Sequence, residues 1–171
     1  MKKFAYYFVL ACIISLYTHT ASAHIAISGG VAHGNSKKMP IDSNGINLKY
    51  RYENDSYSVS WINSFLYTDT NELKDKFYMK SQYYGICTGA AYRFNDWSSI
   101  YGGTGIGYSK FQSRHTVVIK NKFLFADFGP SFILGIQFNP IKNFVIDLSY
   151  ETNMMRDSNT STFTAGIGYN F

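Results

Sequence analysis

Eight basic residues are the first candidates for chemistry. Lys37 and Lys38 fall in the polar segment Gly34–Asn44, Lys74 and Lys76 in Thr68–Lys80, and Lys110, Arg114, Lys120 and Lys122 in Lys110–Lys122. Cations spaced this way on loops can form a rim for phosphate or sulfate groups through charge-assisted, salt-sensitive contacts. Asp69, Glu72 and Asp75 cancel part of the second segment, so a merely solvated surface is an equal reading. The histidines offer less. Three of the four, His24, His33 and His115, fall in the expected mature chain, spread over its start and two loops, and no pair has metal-ligand spacing. A base such as His33 or His115 beside Asp42 or Asp157 would still need a positioned nucleophile, and no serine or cysteine neighbours either histidine in the required pattern. Neither catalysis nor a cofactor is expected.

A second set of charges alternates with apolar residues. Lys49, Arg51, Arg93, Asp127, Asp147 and Glu151 each stand one residue away from an aromatic or aliphatic side chain. Their surroundings show which elements must hold them. From Tyr83 to Tyr108, Tyr84, Ile86, Thr88, Ala90, Tyr92 and Phe94 alternate with Tyr83, Gly85, Cys87, Gly89, Ala91 and Arg93. After the polar break Asn95-Asp96, Ile100, Gly102, Thr104, Ile106 and Tyr108 alternate with Ser99, Tyr101, Gly103, Gly105 and Gly107. Period two, reversed at a tight turn, is a β-hairpin. One side is apolar with aromatics at its ends, and the other carries small residues, Tyr and Arg. That division fits a strand with lipid outside and a filled lumen inside.

The same pattern predicts strands at His24–His33, at Gly45–Glu53, up to Tyr67, up to Phe138, from Phe144 to Glu151 and from Thr162 to Phe171. Asn63 interrupts the apolar row Tyr57, Val59, Trp61, Phe65, Tyr67 with no evident reason. Connections alternate long and short, with Asn153–Asn159 as a fourth long loop. Eight strands result: an all-β, antiparallel, up-and-down transmembrane β-barrel with long loops extracellular and both termini periplasmic. Tyr52, Tyr57, Phe94, Phe138, Phe144, Tyr169 and Phe171 then form one aromatic girdle, and Phe65, Tyr67, Tyr84, Tyr108, Phe128 and Tyr150 the other. Eight strands leave a lumen only wide enough for side chains. The inward charges therefore need partners, and a filled lumen of ion pairs is expected, with inward glycines making room for Tyr83 and Tyr101.

Composition agrees. The 171 residues are 18% aromatic, with 14 Gly and a formal net charge of +5, enough for one domain of twisted strands. Lys2 and Lys3 precede an apolar run from Phe4 to Leu16, and Ala21-Ser22-Ala23 offers a cleavage site. Residues 1–23 read as a secretory signal peptide and 24–171 as the barrel domain. Export makes nucleic acid a poor partner. It also leaves Cys87 as a lone, small lumen side chain, so no disulfide is needed.

GINLKYRYE (Gly45–Glu53), QYYGICTGAAYRFNDWSSIYGGTGIGYSKFQ (Gln82–Gln112), GIQFNP (Gly135–Pro140), DLSYE (Asp147–Glu151) and the terminal GIGYNF (Gly166–Phe171) resemble the outer-membrane protein X / attachment–invasion locus family of enterobacteria, whose members include the Ail, Rck, PagC and Lom proteins. The resemblance implies a small outer-membrane barrel acting through its extracellular loops in adhesion to host cells, entry and resistance to complement. Implied partners are lipopolysaccharide, matrix proteins such as fibronectin and laminin, and complement regulators. Phe171 with Tyr169 resembles the terminal signal read by the barrel-assembly machinery. The three long polar segments depart from the family, so the ligand stays open. A structural or stress-responsive envelope barrel without a host ligand is the alternative.

Overall fold

A computed structural model describes residues 23–36, 42–54, 57–74, 77–115, 122–141, 143–155 and 159–171. Apart from Ala23, the expected signal peptide lies outside them. Eight strands follow in order: β1 (Ala23–Ser36), β2 (Asp42–Asn54), β3 (Val59–Lys74), β4 (Phe77–Asn95), β5 (Ser98–His115), β6 (Lys122–Phe138), β7 (Phe144–Asn153) and β8 (Thr160–Asn170). Each pairs antiparallel with the next and β1 pairs with β8, closing the barrel. Closure satisfies the backbone N–H and C=O groups of every strand within the ring, which a hydrocarbon surrounding demands.

The alternation read from sequence is the wall's two faces. Outward Ile46, Ile86, Ile106 and Ile167 are each more than half exposed, whereas inward Ile62 and Ile133 are 2% and 5% exposed. Both aromatic girdles are present. Tyr67 and Tyr84 lie 4.9 Å apart between ring centroids, and Tyr84 and Tyr108 6.3 Å apart. At the opposite end Tyr92 meets Phe94 edge-on at 5.4 Å, Tyr169 meets Phe171 at 4.8 Å, and Trp97 stacks on Phe138 at 6.1 Å. Trp97 belongs to this girdle although it sits in the turn, outside any alternating run. Asn95 holds that turn, its Oδ1 accepting from Trp97 N (3.1 Å) and Ser98 Oγ (2.9 Å). The β6–β7 turn uses Asn143 at φ 73°, a left-handed conformation that asparagine tolerates, and its amide donates to the Asn170 carbonyl at 2.7 Å.

Several boundaries differ from the sequence reading. Thr68–Lys80 is largely strand rather than loop, and so are the described residues of Lys110–Lys122: β3 continues to Lys74, β4 starts at Phe77, β5 continues to His115 and β6 starts at Lys122. The first segment shortens likewise, with β1 reaching Ser36 and β2 starting at Asp42. Above the membrane neither face meets lipid, so alternation is no longer required. The backbone ladder continues there with polar and apolar residues mixed on both sides.

The lumen glycines are placed by their large neighbours. A Cβ at Gly135 would strike the Tyr101 ring, and one at Gly107 would come within 2.7 Å of Tyr83 Oη. Outward Gly102 differs, its nearest neighbour to an added Cβ being Leu134 Cδ1 at 3.7 Å. Gly135→Ala is therefore expected to cost about 1–3 kcal/mol of unfolding free energy in detergent or bilayer. Gly102→Ala should change it by less than about 0.5 kcal/mol.

Candidate functional site

Two constellations carry charge. The first fills the lumen. Lys49 is ion-paired with Asp147, both at most 2% exposed, and its Nζ donates to Ser149 Oγ at 2.8 Å. Asp147 also accepts from Tyr101 Oη at 3.0 Å and Gln137 Nε2 at 2.7 Å. Gln137 in turn accepts from Arg51 at 2.8 Å, whose guanidinium also reaches Ser99 (2.7 Å) and Ser60 (3.1 Å). Arg51 Nε lies 2.8 Å from Glu53 Oε1, and Arg93 pairs with the same carboxylate. Toward the other mouth Glu151 accepts from Tyr83 Oη (2.8 Å) and Ser131 Oγ (2.9 Å).

Buried Lys49 and Arg51 and the part-exposed Arg93 thus share the lumen with Glu53, Asp147 and Glu151. A network of this kind orders the wall. The lumen also holds something alternation did not reveal. Ile62, Cys87, Ala91, Tyr101 and Ile133 form one buried apolar cluster, and Ala32, Leu66, Tyr83 and Met155 form another. Cys87 is a packing residue within the first. Asp127 was expected in the lumen but stands above the closed ring. β7 stops at Asn153, opposite Ser131, and Asp127 Oδ1 accepts from Phe128 N at 2.9 Å.

The second constellation lies beyond the rim. β4, β5 and β6 have 19, 18 and 17 residues against 10 and 11 for β7 and β8. About ten residues cross a bilayer. The surplus raises on the order of 20 Å of sheet above the low wall of β7, β8 and β1. Among the described residues the β2–β3 ladder ends at Asn44–Asp69, leaving β3 from Thr70 to Lys74 paired only to β4. β6 from Lys122 to Gly129 pairs only with β5, the Pro130 carbonyl accepting from Met154 N at 2.9 Å. Among the described residues the projecting sheet therefore has two open edges, and it carries exposed Leu73, Tyr78 and Leu124. Register places Asn71, Lys80, Gln112 and Leu124 in one cross-strand row and Asp69, Gln82, Lys110 and Ala126 in the next.

Of the basic residues singled out in the sequence, Lys110 stands half-buried in that second row, on β5 rather than on a loop. Lys74, Arg114 and Lys122 are also strand positions, and Arg114 pairs with both Tyr78 and Lys122 through the backbone. The structure thus gathers four of the eight on the projecting sheet. Lys37, Lys38, Lys76 and Lys120 lie outside the described residues, as does Asp157. The histidine constellation does not assemble as a base with Asp42. His33 Nδ1 lies 2.9 Å from Asn44 Oδ1, and Asp42 accepts from Asn35 at 3.0 Å. His24 Nδ1 is 3.0 Å from the Phe171 carbonyl.

The sequence pattern of the enterobacterial Ail/Lom proteins matches residues 4–171. The chain belongs to this family. Outer membrane protein X of Enterobacter cloacae is 42% identical over 172 residues, covering 100% of both chains. The attachment invasion locus protein of Yersinia enterocolitica is 32% identical over 176 residues, covering 95% of each. A crystal structure of Ail from Yersinia pestis in complex with the heparin analogue sucrose octasulfate superposes with a TM-score of 0.77 at 30% identity, over 87% of this chain and 99% of that one. Membership in the Ail/Lom family makes this a multi-pass outer-membrane β-barrel of a Gram-negative bacterium. The long hairpins face the exterior and the short turns the periplasm.

Proposed function

We propose that the chain is a surface attachment protein of the attachment–invasion type, its projecting β3–β6 sheet holding acidic groups on host surfaces and on neighbouring lipopolysaccharide. The observation that carries this reading is the mixed chemistry of that sheet: Lys80 and Lys110 among the amides of Asn71, Gln82 and Gln112, beside exposed Tyr78 and Leu73. Cations and amide donors suit sulfate or phosphate, and an aromatic ring suits a sugar face. The heparin analogue bound by the Yersinia pestis relative supports the same class of ligand here. Adhesion to matrix proteins such as fibronectin and laminin, and resistance to complement through its regulators, complete the proposal. Lys37, Lys38, Lys76 and Lys120 extend the basic rim in it. Residues 1–23 direct export, and the terminal Tyr169 and Phe171 present the chain to the assembly machinery.

The test is expression in a non-adherent laboratory bacterium, followed by host-cell binding, serum survival and retention on immobilised heparin. Gains in all three are expected. Lys80→Gln with Lys110→Gln should weaken heparin retention about twofold to tenfold, more at low salt, with the folded barrel unchanged on gels. No gain in binding or survival would favour the second reading, an envelope barrel without a host ligand. The higher identity to outer membrane protein X than to the attachment invasion locus protein is the observation in its favour.

A further inference from the structure

Between the two girdles the outward face is apolar on every strand except at one place. Asn63 on β3, Thr88 on β4 and Thr104 on β5 are consecutive partners in the ladder, so their side chains form one cross-strand row. Thr88 and Thr104 are exposed and Asn63 is half-exposed. Tyrosines aside, they are the polar side chains of the described outward belt. Along β4 the row is four residues below girdle Tyr84 and four above Tyr92, about 13 Å from each ring. It therefore sits at the hydrocarbon midplane, where a hydrogen-bonding group without a partner is costly.

The next row toward the periplasm is Trp61, Ala90 and Gly102, a shallow dent between the bulk of Trp61 and that of Leu134. Nothing within the barrel requires glycine at 102, since an added Cβ would meet only ordinary contacts. Lumen-side Gly89, Gly103 and Gly105 are different, because a Cβ there would strike neighbouring backbone. The dent thus answers to something outside the wall.

We propose that this β3–β4–β5 face is where a second copy of the chain packs within the membrane. An Asn carboxamide carries both donors and acceptors, so two Asn63 side chains related by a two-fold axis can complement each other, as an isologous contact requires. The bond from Thr88 Oγ1 to Asn63 Oδ1, at 2.9 Å, orients the carboxamide and uses only part of its capacity. Ala90 and Gly102 let the two walls approach closely enough for those polar groups to meet. Acyl chains cannot supply the hydrogen bonds, whereas an identical face supplies the same groups in register.

The experiment uses the full chain in outer membranes, with Cys87 replaced by serine and one new cysteine at Ala90 or, on the opposite wall, at Ile167. Oxidation should link the Ala90→Cys chain into a species of twice the monomer mass and leave the Ile167→Cys chain monomeric. Adding Gly102→Leu, or Asn63→Leu, to Ala90→Cys should lower the dimer yield about three- to tenfold. The heat-modifiable migration of the folded monomer should persist in both. Equal dimer from Ile167→Cys, no dimer from Ala90→Cys, an adduct with a different protein, or a yield indifferent to Gly102→Leu would each overturn the proposal.

Discussion

Replacing Asp147 by alanine is expected to lower the unfolding free energy of the barrel by about 3–5 kcal/mol, because it strands a buried ammonium group. Lys49 is 2% exposed and its carboxylate partner is Asp147; its other donated bond goes to a neutral hydroxyl, Ser149. The same change removes the acceptor used by Tyr101 and Gln137, and Gln137 is one of the groups holding Arg51. Lys49→Met together with Asp147→Leu should recover most of the loss, since replacing both members of a buried pair by apolar groups is often close to neutral. Urea titration in lipid vesicles measures all three variants. A single variant as stable as the parent would show that water, rather than Asp147, compensates Lys49.

Leu148→Arg should cost about 2–4 kcal/mol and deplete the protein from the membrane fraction, because Leu148 faces hydrocarbon midway along β7. Arginine at Phe144, in the periplasmic girdle, should cost at most about 1 kcal/mol, since its guanidinium reaches the headgroups. The contrast between these two outward sites on one strand separates membrane depth from a general intolerance of charge.

The barrel was legible because the bilayer imposes a simple rule on half of the residues. Ile46, Leu48, Tyr50 and Tyr52 alternate with Asn47, Lys49, Arg51 and Glu53, and only a wall with lipid on one face explains both rows. The inward pairing of Tyr101 with Gly135 was legible in kind, as bulk opposite glycine. Which glycine it meets was not, because β5 and β6 are joined across the long segment 110–122 and alternation alone does not set the register between them. Asn63 resisted a single-strand reading for the same reason, since its meaning lies in Thr88 and Thr104 on the next two strands. The segments 68–80 and 110–122 were read as loops because strand recognition rested on alternation. Once the chain leaves the membrane, water on both faces removes that signal while the backbone ladder persists. Four of the eight candidate basic residues consequently lie on strands of the projecting sheet, where the ladder sets their backbone spacing. Trp97 was missed as a girdle residue because a turn has no period to betray it.

Within the membrane every second side chain of these strands meets lipid, and isoleucine methyl signals test this without altering the chain. In bilayer nanodiscs containing a lipid-borne nitroxide, the methyl resonances of Ile86, Ile106 and Ile167 should broaden strongly. Those of Ile62 and Ile133, sealed in the lumen, should stay sharp. Equal broadening of both sets, or broadening of Ile86 and Ile106 by a water-soluble chelate instead, would contradict the account.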